Sequence, residues 1–557
     1  MGDASIIDPK EDEHPKPGFL CKQFWRNHWQ GVMSIVIPIA CLPIMLLIEG
    51  AEFRCLYLIA TCCFLWITEC IPLYVTSLMP IFALPILGVM DSEKTCMQYF
   101  KDTLVMFVGG LIIALSVEYC NLHKRLALRT ILIVGCSPRR LYLGVVMITT
   151  FISMWISNSA TTAMMCPIIK AILEELQANN VIDIYMDESK EPAIDGKKSP
   201  SRAAMAFYIG AAYSATIGGC GTLIGTGTNM VFKGIYEGRF PTAEEKIDFP
   251  RFMIWSIPMV IVQAALLFFC FNVTHLGLFR PKSAIGQQVN AGAGVAPAVK
   301  AIVSAKYAEL GPMSPHEWQV AFWFAVMIAL LFCRSPGIFT GWGDLLNRVS
   351  IKTSPCVMLP VLALFTIPAF WTCFKHFKKK GPYPSESIKS LLSWDFAHKT
   401  VPWGLVFLLG GGFALSTAAQ ESGMSKMMGQ ALNFLVTWPR VGIQFGACVL
   451  AVFMTNFSAN VPICNILIPV LNEVALVVKV HPIFLVFPAG IACSYAFHLP
   501  VGTPPNAIVS GYANIRIKYM AEAGILPTIF CIVTVVLNSN TMHRLVYPAV
   551  DLPEDMI

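Results

Sequence analysis

Amide and hydroxyl side chains are concentrated in four segments that contain no aspartate, glutamate, lysine or arginine. These segments are residues 141–169, 203–232, 441–472 and 480–515. Asparagine offers a carbonyl oxygen and an amide donor, and serine and threonine offer hydroxyls. Hard cations prefer oxygen ligands of this kind. The four segments therefore predict a binding site that works without ionised side chains.

Glycine and proline interrupt the same segments, as in "IGGCGTLIGTGTN" (217–229) and "FHLPVGTPPNAIV" (497–509). A broken helix frees backbone carbonyls, which suit a cation such as Na⁺. It also frees N–H groups at the start of the next helix, where about half a positive charge favours an anion. One break can thus serve both signs of charge.

The polar motifs occur twice in the same order, which indicates an internal repeat. The two sets are "FVGGLIIAL" (107–115), Asn158 and Asn229, then "FLLGGGFAL" (407–415), Asn460 and Asn506. The glycine-rich motifs align at an offset of 300 residues and the asparagines at 302 and 277. We expect an inverted repeat, because transporters of that design bind substrate and ions at the repeat interface.

Alternative interpretations exist for individual residues. A single serine or threonine in an apolar helix usually bonds to its own backbone. His498 is either a proton relay or a structural hydrogen-bonding group. "GCGTLIG" (219–225) resembles a phosphate-binding loop but lacks the surrounding strand and helix of a soluble domain.

The elements that must position these residues are membrane-spanning helices. The 557 residues are 55% hydrophobic and 13% charged, whereas soluble domains carry about 25% charged residues. Most apolar runs approach the roughly 20 residues that a helix needs to cross a bilayer. We predict an all-α polytopic membrane protein with about 11 transmembrane helices and two re-entrant hairpins. An arginine at the centre of a bilayer costs ~2.5–3.5 kcal/mol, so the uncharged segments favour an anion held by helix dipoles and cotransported cations.

Basic loop clusters predict the orientation, because lysine and arginine are enriched on the cytoplasmic side. The clusters are 123–129, 137–140, 279–282 and 375–380. Residues 1–31 are polar and are predicted to form a cytoplasmic N-terminal tail. The net charge of +6 is a signal of topology, and no nucleic-acid partner is expected.

Six regions are predicted from these patterns. They are the tail 1–31; scaffold helices 32–100; first-half transport elements 101–232, with a hairpin at 103–126, a broken helix at 141–176 and the motif 217–229; scaffold helices and loops 233–395; second-half transport elements 396–515, with a hairpin at 401–426, a broken helix at 441–478 and the motif 497–509; and a last helix with a short tail, 516–557.

Four stretches carry a resemblance to a known family. They are "KDTLVMFVGGLIIALSVEYCNLHKRLALR" (101–129), "MWISNSATTAMMCPI" (154–168), "KTVPWGLVFLLGGGFAL" (399–415) and "LPVGTPPNAIV" (499–509). The chain resembles the divalent anion/sodium symporters, solute carrier family 13. "IEGAEFRC" (48–55) and "SGYANIR" (510–516) look closest to the insect branch, the "I'm not dead yet" transporters.

The resemblance implies a homodimer in which an elevator-type transport domain moves against a scaffold domain. It implies carboxylate binding by two facing Ser-Asn-Thr motifs, with threonines of the breaks lining the pocket. On this sequence the substrate residues are Ser157, Asn158, Ser159, Thr226, Asn460, Val461 and Thr503. The resemblance also implies two sodium sites. The first uses Asn158 with backbone at Ser153, Ser157 and Gly225, and the second uses Asn460 with backbone at Thr455, Ser458 and Gly502.

The second motif departs from the family pattern, because Ala459 replaces its serine and Val461 its threonine. A lost hydrogen bond to a charged group is worth ~1.5–3 kcal/mol, so we expect weaker binding or a different substrate preference.

The expected function is secondary-active transport of di- and tricarboxylates such as succinate and citrate, as sodium symport or anion exchange. The expected location is the plasma membrane, and no cofactor is expected besides Na⁺ as a possible coupling ion. A sulfate carrier, an anion channel and a membrane-embedded enzyme are the alternatives. The enzyme is disfavoured because the spans contain neither paired aspartates nor a His-Glu-x-x-His helix.

Overall fold

The fold is known from a computed structural model that describes residues 17–179, 181–186, 198–334, 340–346, 351–371 and 385–553. Within these ranges the chain forms α-helices and short 3-10 turns, and extended residues form only isolated bridges. The cluster 375–380 lies outside the described residues.

Five helices precede the first set of polar motifs. They are α1 Pro17–Leu46, α2 Ala51–Thr68, α3 Leu73–Thr76, α4 Met79–Ile86 and α5 Ser92–Met97. Helix α1 begins at Pro17, inside the segment 1–31, so the described part of the predicted tail is helical; its cytoplasmic position stays a prediction.

The remaining helices fall into a first half, a connecting region and a second half. The first half comprises α6 Asp102–Tyr119, α7 Leu122–Val134, α8 Pro138–Ser153, α9 Asn158–Ala178, α10 Arg202–Gly219 and α11 Gly227–Arg239. The connecting region comprises α12 Phe249–Thr274, α13 Ala284–Ala291, α14 Ala296–Glu309, α15 Pro315–Cys333, α16 Trp342–Leu345, α17 Ser354–Thr366 and α18 Trp394–Thr400. The second half and the last helices comprise α19 Gly404–Glu421, α20 Met424–Ala431, α21 Arg440–Phe457, α22 Asn460–Val478, α23 Pro482–Ala492, α24 Pro504–Ala513, α25 Ile517–Thr541 and α26 His543–Val546.

The polar segment 141–176 is a helical hairpin, which corrects the predicted broken helix. Gly292 lies against Pro138 at the start of α8 and against Val181 just after α9, because a Cβ on this glycine would collide with both side chains. The two ends of the α8–α9 pair therefore meet. Residues 154–157 form the tip of this hairpin, named tip 1.

The segment 441–478 forms the equivalent hairpin from α21 and α22, so the broken helix predicted there is wrong as well. Ile443, near the start of α21, and Val474, near the end of α22, belong to one small buried cluster. The turn between the two helices is residues 458–459, named tip 2.

The interrupted helices are the next pair in each half. Break 1, residues 220–226, separates α10 from α11, and break 2, residues 493–503, separates α23 from α24. The glycine- and proline-rich motifs 217–229 and 497–509 fall on these breaks, as their composition predicts.

Helix α10 runs alongside α8 in the same direction, from the base of the first hairpin to its tip. Gly210 lies against the ring of Tyr142, and Gly218 lies against the backbone of Thr150. The absence of a side chain at both glycines permits this close approach.

Helix α11 continues along the other hairpin, from tip 2 towards its base. Gly227 lies near Val461, with 3.0 Å between its Cβ position and Val461 Cγ2. At the other end, Arg239 Nε lies 3.1 Å from Glu473 Oε1. Since α10 and α11 do not pack against each other, the chain does not fold back at break 1. The two hairpins therefore point at each other tip to tip, which is the arrangement of an inverted repeat.

The first four helices of the two halves correspond at one constant offset. Equivalent helix starts are Asp102 and Gly404, Leu122 and Met424, Pro138 and Arg440, and Asn158 and Asn460, each pair 302 residues apart. The glycine-rich helices thus align at 302, and the offset of 300 is wrong. At this offset Gly109 aligns with Gly411, and Gly110 aligns with Gly412.

The segments predicted as hairpins, 103–126 and 401–426, are helix–turn–helix pairs. The pairs extend over residues 102–134 and 404–431. Asn121 and Gly423 occupy the two turns with φ of 61° and 79°. Whether these pairs re-enter a bilayer stays a prediction, as do the scaffold and transport regions.

Eight helices of the described residues are long and apolar enough to cross a membrane, or nine if the bent pair α18–α19 counts as one span. This supports a polytopic membrane protein. The count of 11 stays a prediction, because the pieces of the interrupted helices do not qualify singly by length and hydropathy together.

Candidate functional site

Tip 1 is organised by Asn158, the first residue of α9. Its Oδ1 accepts a hydrogen bond of 2.7 Å from the buried Ser153 hydroxyl, which lies 2.8 Å from the Ala215 carbonyl. Ser157 precedes α9 and caps it, because its Oγ accepts from the N–H of Ala160 at 3.3 Å. The end of α8, the start of α9 and α10 are thereby held together.

Tip 2 repeats this geometry around Asn460, the first residue of α22. Its Oδ1 accepts from Thr455 Oγ1 at 2.7 Å, and the same hydroxyl lies 2.7 Å from the Cys493 carbonyl. The helix begins after Ala459, which has no side-chain oxygen to cap it. Hydroxyl, amide and carbonyl therefore occupy equivalent places at both tips.

An asparagine amide holds each break in shape. Asn229 Nδ2 donates to the Gly219 carbonyl at 3.0 Å and to the Thr222 carbonyl at 2.8 Å. Asn506 Nδ2 donates to the Ala496 carbonyl at 2.8 Å and to the Leu499 carbonyl at 3.2 Å.

The side-chain oxygen of each of these asparagines is also buried. Neither Asn229 Oδ1 nor Asn506 Oδ1 has a hydrogen bond to the described residues. Buried polar atoms in proteins are normally paired. These two oxygens are therefore electron-rich groups with unused capacity to accept.

Glycine brings each break against backbone carbonyls of the neighbouring tip. A Cβ at Gly225 would lie 2.5 Å from the Gly219 oxygen and 3.0 Å from the Met154 oxygen. A Cβ at Gly502 would lie 2.9 Å from the Thr455 oxygen. Both positions thus bring carbonyl oxygens and an asparagine amide close together, the ligand set that a hard cation needs.

The predicted substrate residues lie at four helix N-termini. Ser157, Asn158 and Ser159 begin α9, and Ala459, Asn460 and Val461 begin α22. Thr226 and Thr503 are the residues immediately before α11 and α24. These helices have 21, 19, 13 and 10 residues, and each N-terminus carries unpaired N–H groups and a partial positive charge. The arrangement can hold an anion without lysine or arginine.

Contacts between the halves join the tips and the breaks into one site. Val461 of tip 2 packs near Gly227 at the start of α11. The hydroxyls of Thr228 and Ser494 lie 2.7 Å apart. Ser157, Ser159, Thr226 and Val461 are half-buried, which is consistent with residues that line an open cleft.

His498 has a structural role in this fold. Its Nδ1 lies 3.1 Å from the Ala521 carbonyl, and its Nε2 lies 3.0 Å from Thr528 Oγ1. Both ring nitrogens are therefore occupied, and its backbone N–H donates to Asn456 Oδ1 at 3.0 Å. This geometry favours the structural interpretation over a proton relay.

Sequence reasoning missed the Ala215 and Cys493 carbonyls and the Thr228–Ser494 contact. The carbonyls belong to apolar or small residues, whose side chains carry no signal for a backbone interaction. Thr228 sits inside the "GTGTN" motif, so its position could have suggested a role, whereas Ser494 stands in "IACSYAF" without a counterpart in the first half.

Comparison with known proteins agrees with this geometry. Residues 23–547 match the family described as the sodium:sulfate symporter transmembrane region. The chain belongs to this family. The resemblance inferred from the motifs is thereby confirmed.

Three relatives match over nearly their full length. The protein "I'm not dead yet" of Drosophila melanogaster is 51% identical over 96% of this chain and 92% of its own. A Na(+)/citrate cotransporter of Rattus norvegicus is 33% identical over 94% and 96%. Na(+)/dicarboxylate cotransporter 3 of the same species is 32% identical over 96% and 95%. Members of this family with such names are transporters, not enzymes.

Proposed function

We propose that the protein is a secondary-active transporter that carries di- and tricarboxylates, such as succinate and citrate, together with Na⁺. The observation that supports this most strongly is the duplicated set of oxygen ligands at the two tips, which face four helix N-termini. The proposed cation sites and the proposed anion site thus adjoin in segments that contain no lysine or arginine.

Two carboxylates of one substrate would each meet one tip. At tip 1, the N–H groups that begin α9 and the hydroxyls of Ser157, Ser159 and Thr226 are the proposed donors. At tip 2, Asn460, Val461 and Thr503 are the proposed substrate neighbours. The names of the citrate and dicarboxylate relatives favour carboxylates, whereas the family's description leaves sulfate as the second candidate.

Sodium is the proposed coupling ion, with one site beside each tip. The first site is assigned to Asn158 and to backbone at Ser153, Ser157 and Gly225. The second is assigned to Asn460 and to backbone at Thr455, Ser458 and Gly502. At the 302-residue offset Ser157 corresponds to Ala459, so the carbonyl of Ala459 is a further candidate beside that of Ser458. Entry of net positive charge would gain ~2.3 kcal/mol per charge for each 100 mV of membrane potential.

The remaining proposals concern the whole protein. We infer an elevator mechanism in a homodimer of the plasma membrane with a cytoplasmic N-terminus. The interrupted helices support the mechanism, because each one begins beside one hairpin and ends beside the other.

The test is uptake of radiolabelled citrate and succinate into proteoliposomes, with an inward Na⁺ gradient or with K⁺ in its place. The proposal predicts saturable uptake that requires Na⁺ and that excess unlabelled substrate inhibits. Uptake that depends only on preloaded internal anion would instead show exchange. Sulfate uptake without carboxylate competition, or flux that never saturates, would contradict the proposal.

A further inference from the structure

A cationic cleft lies where the start of α10, the end of α12 and the first turns of α25 meet. Its volume is about 240 Å³. The polar lining comprises Arg202, Arg280, His275, Thr274, Tyr519 and Glu522. We call this cleft the arginine pocket.

The two guanidinium groups give the pocket its charge. Arg202 and Arg280 are both exposed, and neither has an ion pair with the described residues. Burial and the nearby Arg202 lower the pKa of His275 to about 4, so this imidazole is neutral at pH 7. His275 Nδ1 lies 2.7 Å from Thr274 Oγ1. The only carboxylate among the pocket's described lining residues is Glu522, so the net charge of the pocket is positive.

The floor and flank of the pocket are apolar. Met205, Cys270, Ala523 and Leu526 complete its lining. Beside it, Ile525 and Ile529 on α25 are 51% and 54% exposed, a surface that fits lipid chains better than water.

The pocket also lies where a membrane interface is expected. Thr274 ends the span α12 and His275 follows it, and the basic cluster 279–282 comes shortly after. Arg202 begins α10 at the base of the first hairpin, where the basic cluster 137–140 also lies. Both clusters are predicted to be cytoplasmic, and the cytoplasmic leaflet is the one that is rich in anionic lipid.

We propose that the arginine pocket binds the phosphate group of an acidic phospholipid whose acyl chains lie along α25. Guanidinium groups bind phosphate through paired, charge-assisted hydrogen bonds. A free inorganic phosphate would use the same polar groups but not the apolar flank.

The test measures thermal stabilisation and lipid retention, by native mass spectrometry, of the purified full chain in detergent. The probes are phosphatidic acid, phosphatidylinositol, phosphatidylcholine and inorganic phosphate. We expect both acidic lipids to bind and to stabilise the protein, and the other two probes to do neither. The double variant Arg202→Gln/Arg280→Gln should bind acidic lipid at least about fivefold more weakly.

Arg129→Gln is the matched control, because it removes an exposed arginine of the predicted cytoplasmic side outside the pocket. It should bind acidic lipid as the unmodified chain does. Glu522→Gln removes the opposing carboxylate and should tighten binding, which keeps the test decisive if the double variant folds poorly. Unchanged binding in both pocket variants, equal binding of phosphatidylcholine, or arginine-dependent stabilisation by inorganic phosphate alone would overturn the proposal.

Discussion

At the scale of residues, two differences from the first half bear on how the helix after tip 2 is capped. Ala459 stands where the first half has Ser157, and Pro462 stands where it has Ala160. Ser157 caps α9 by accepting from the N–H of Ala160. The equivalent of Ala160 in α22 is Pro462, which has no N–H to donate. A serine at position 459 would therefore lack the N–H partner that Ser157 uses three residues on in α9.

This pairing predicts the outcome of Ala459→Ser. The new hydroxyl oxygen finds no N–H at Pro462 to accept from, whereas its proton can be donated to a substrate carboxylate. We expect citrate or succinate to bind about tenfold more tightly, since such a hydrogen bond is worth ~1.5–3 kcal/mol, and we expect little change in melting temperature. Transport affinity in proteoliposomes and thermal unfolding measure the two effects.

The control is Ala459→Ser combined with Pro462→Ala, which restores an N–H at the third helical position. The hydroxyl oxygen then accepts from that N–H while its proton stays available to the substrate, so stability should rise by ~0.5–2 kcal/mol and the gain in affinity should persist. If both variants leave substrate affinity unchanged, position 459 does not face the substrate.

Glycine at the breaks gives a second prediction at this scale. Gly225→Ala and Gly502→Ala place a methyl group against backbone carbonyls of the sodium sites. We expect the Na⁺ concentration for half-maximal uptake to rise several-fold in each. Gly446→Ala in α21 is the control, because nothing lies within 4 Å of its Cβ position and alanine favours a helix. An equal response of Gly225→Ala and Gly446→Ala would argue against a sodium site at Gly225.

At the scale of elements, the sequence predicted the duplication and the paired asparagines but assigned the wrong helix type to the segments that carry them. A hairpin tip and a helix break have the same local composition, because both need small and polar residues. What separates them is a contact distant in sequence, that of Gly292 with Pro138 and Val181, and no local pattern encodes it. The 302-residue offset was hidden because identical residues match at 300, namely Phe107, Gly110, Ala114 and Leu115 with Phe407, Gly410, Ala414 and Leu415.

The breaks depend on the asparagines that bridge their carbonyls. Asn506→Ala leaves the carbonyls of Ala496 and Leu499 without their donor, and a buried unpaired group costs ~1–3 kcal/mol. We expect a lower melting temperature and a loss of sodium-dependent uptake. Asn540→Ala, at the C-terminal end of α25 and away from the breaks, is a comparison that should leave the sodium dependence of uptake unchanged. Normal sodium dependence in Asn506→Ala would show that the bridge is dispensable.

At the scale of the whole molecule, one buried ion pair ties the first half to the connecting region. Arg125 Nε of α7 lies 2.9 Å from Glu317 Oε1 of α15. The Arg125 guanidinium also donates to the carbonyls of Leu310 and Gly311. Removing one partner of a buried pair costs ~3–5 kcal/mol, because the other charge stays buried.

Arg125→Met should therefore strongly destabilise the chain, and Arg125→Met combined with Glu317→Gln should recover part of the loss. Arg440→Met is the matched control, since its exposed pair with Asp551 is worth at most ~1 kcal/mol. Thermal unfolding measures the stability of the single variant, the double variant and the control. A loss in Arg440→Met as large as that in Arg125→Met would contradict this assignment.

The claim that unites these scales is that both tips form one site, where Na⁺ and carboxylate bind together. The most direct test is the Na⁺ dependence of citrate uptake by proteoliposomes that contain the unmodified chain, Asn158→Ala or Asn460→Ala. A shared site that takes two sodium ions predicts a sigmoidal dependence for the unmodified chain. It also predicts that a change at either tip alone weakens the response to Na⁺ and to citrate together. Citrate uptake that is indifferent to Na⁺, and unaltered by either substitution, would contradict it.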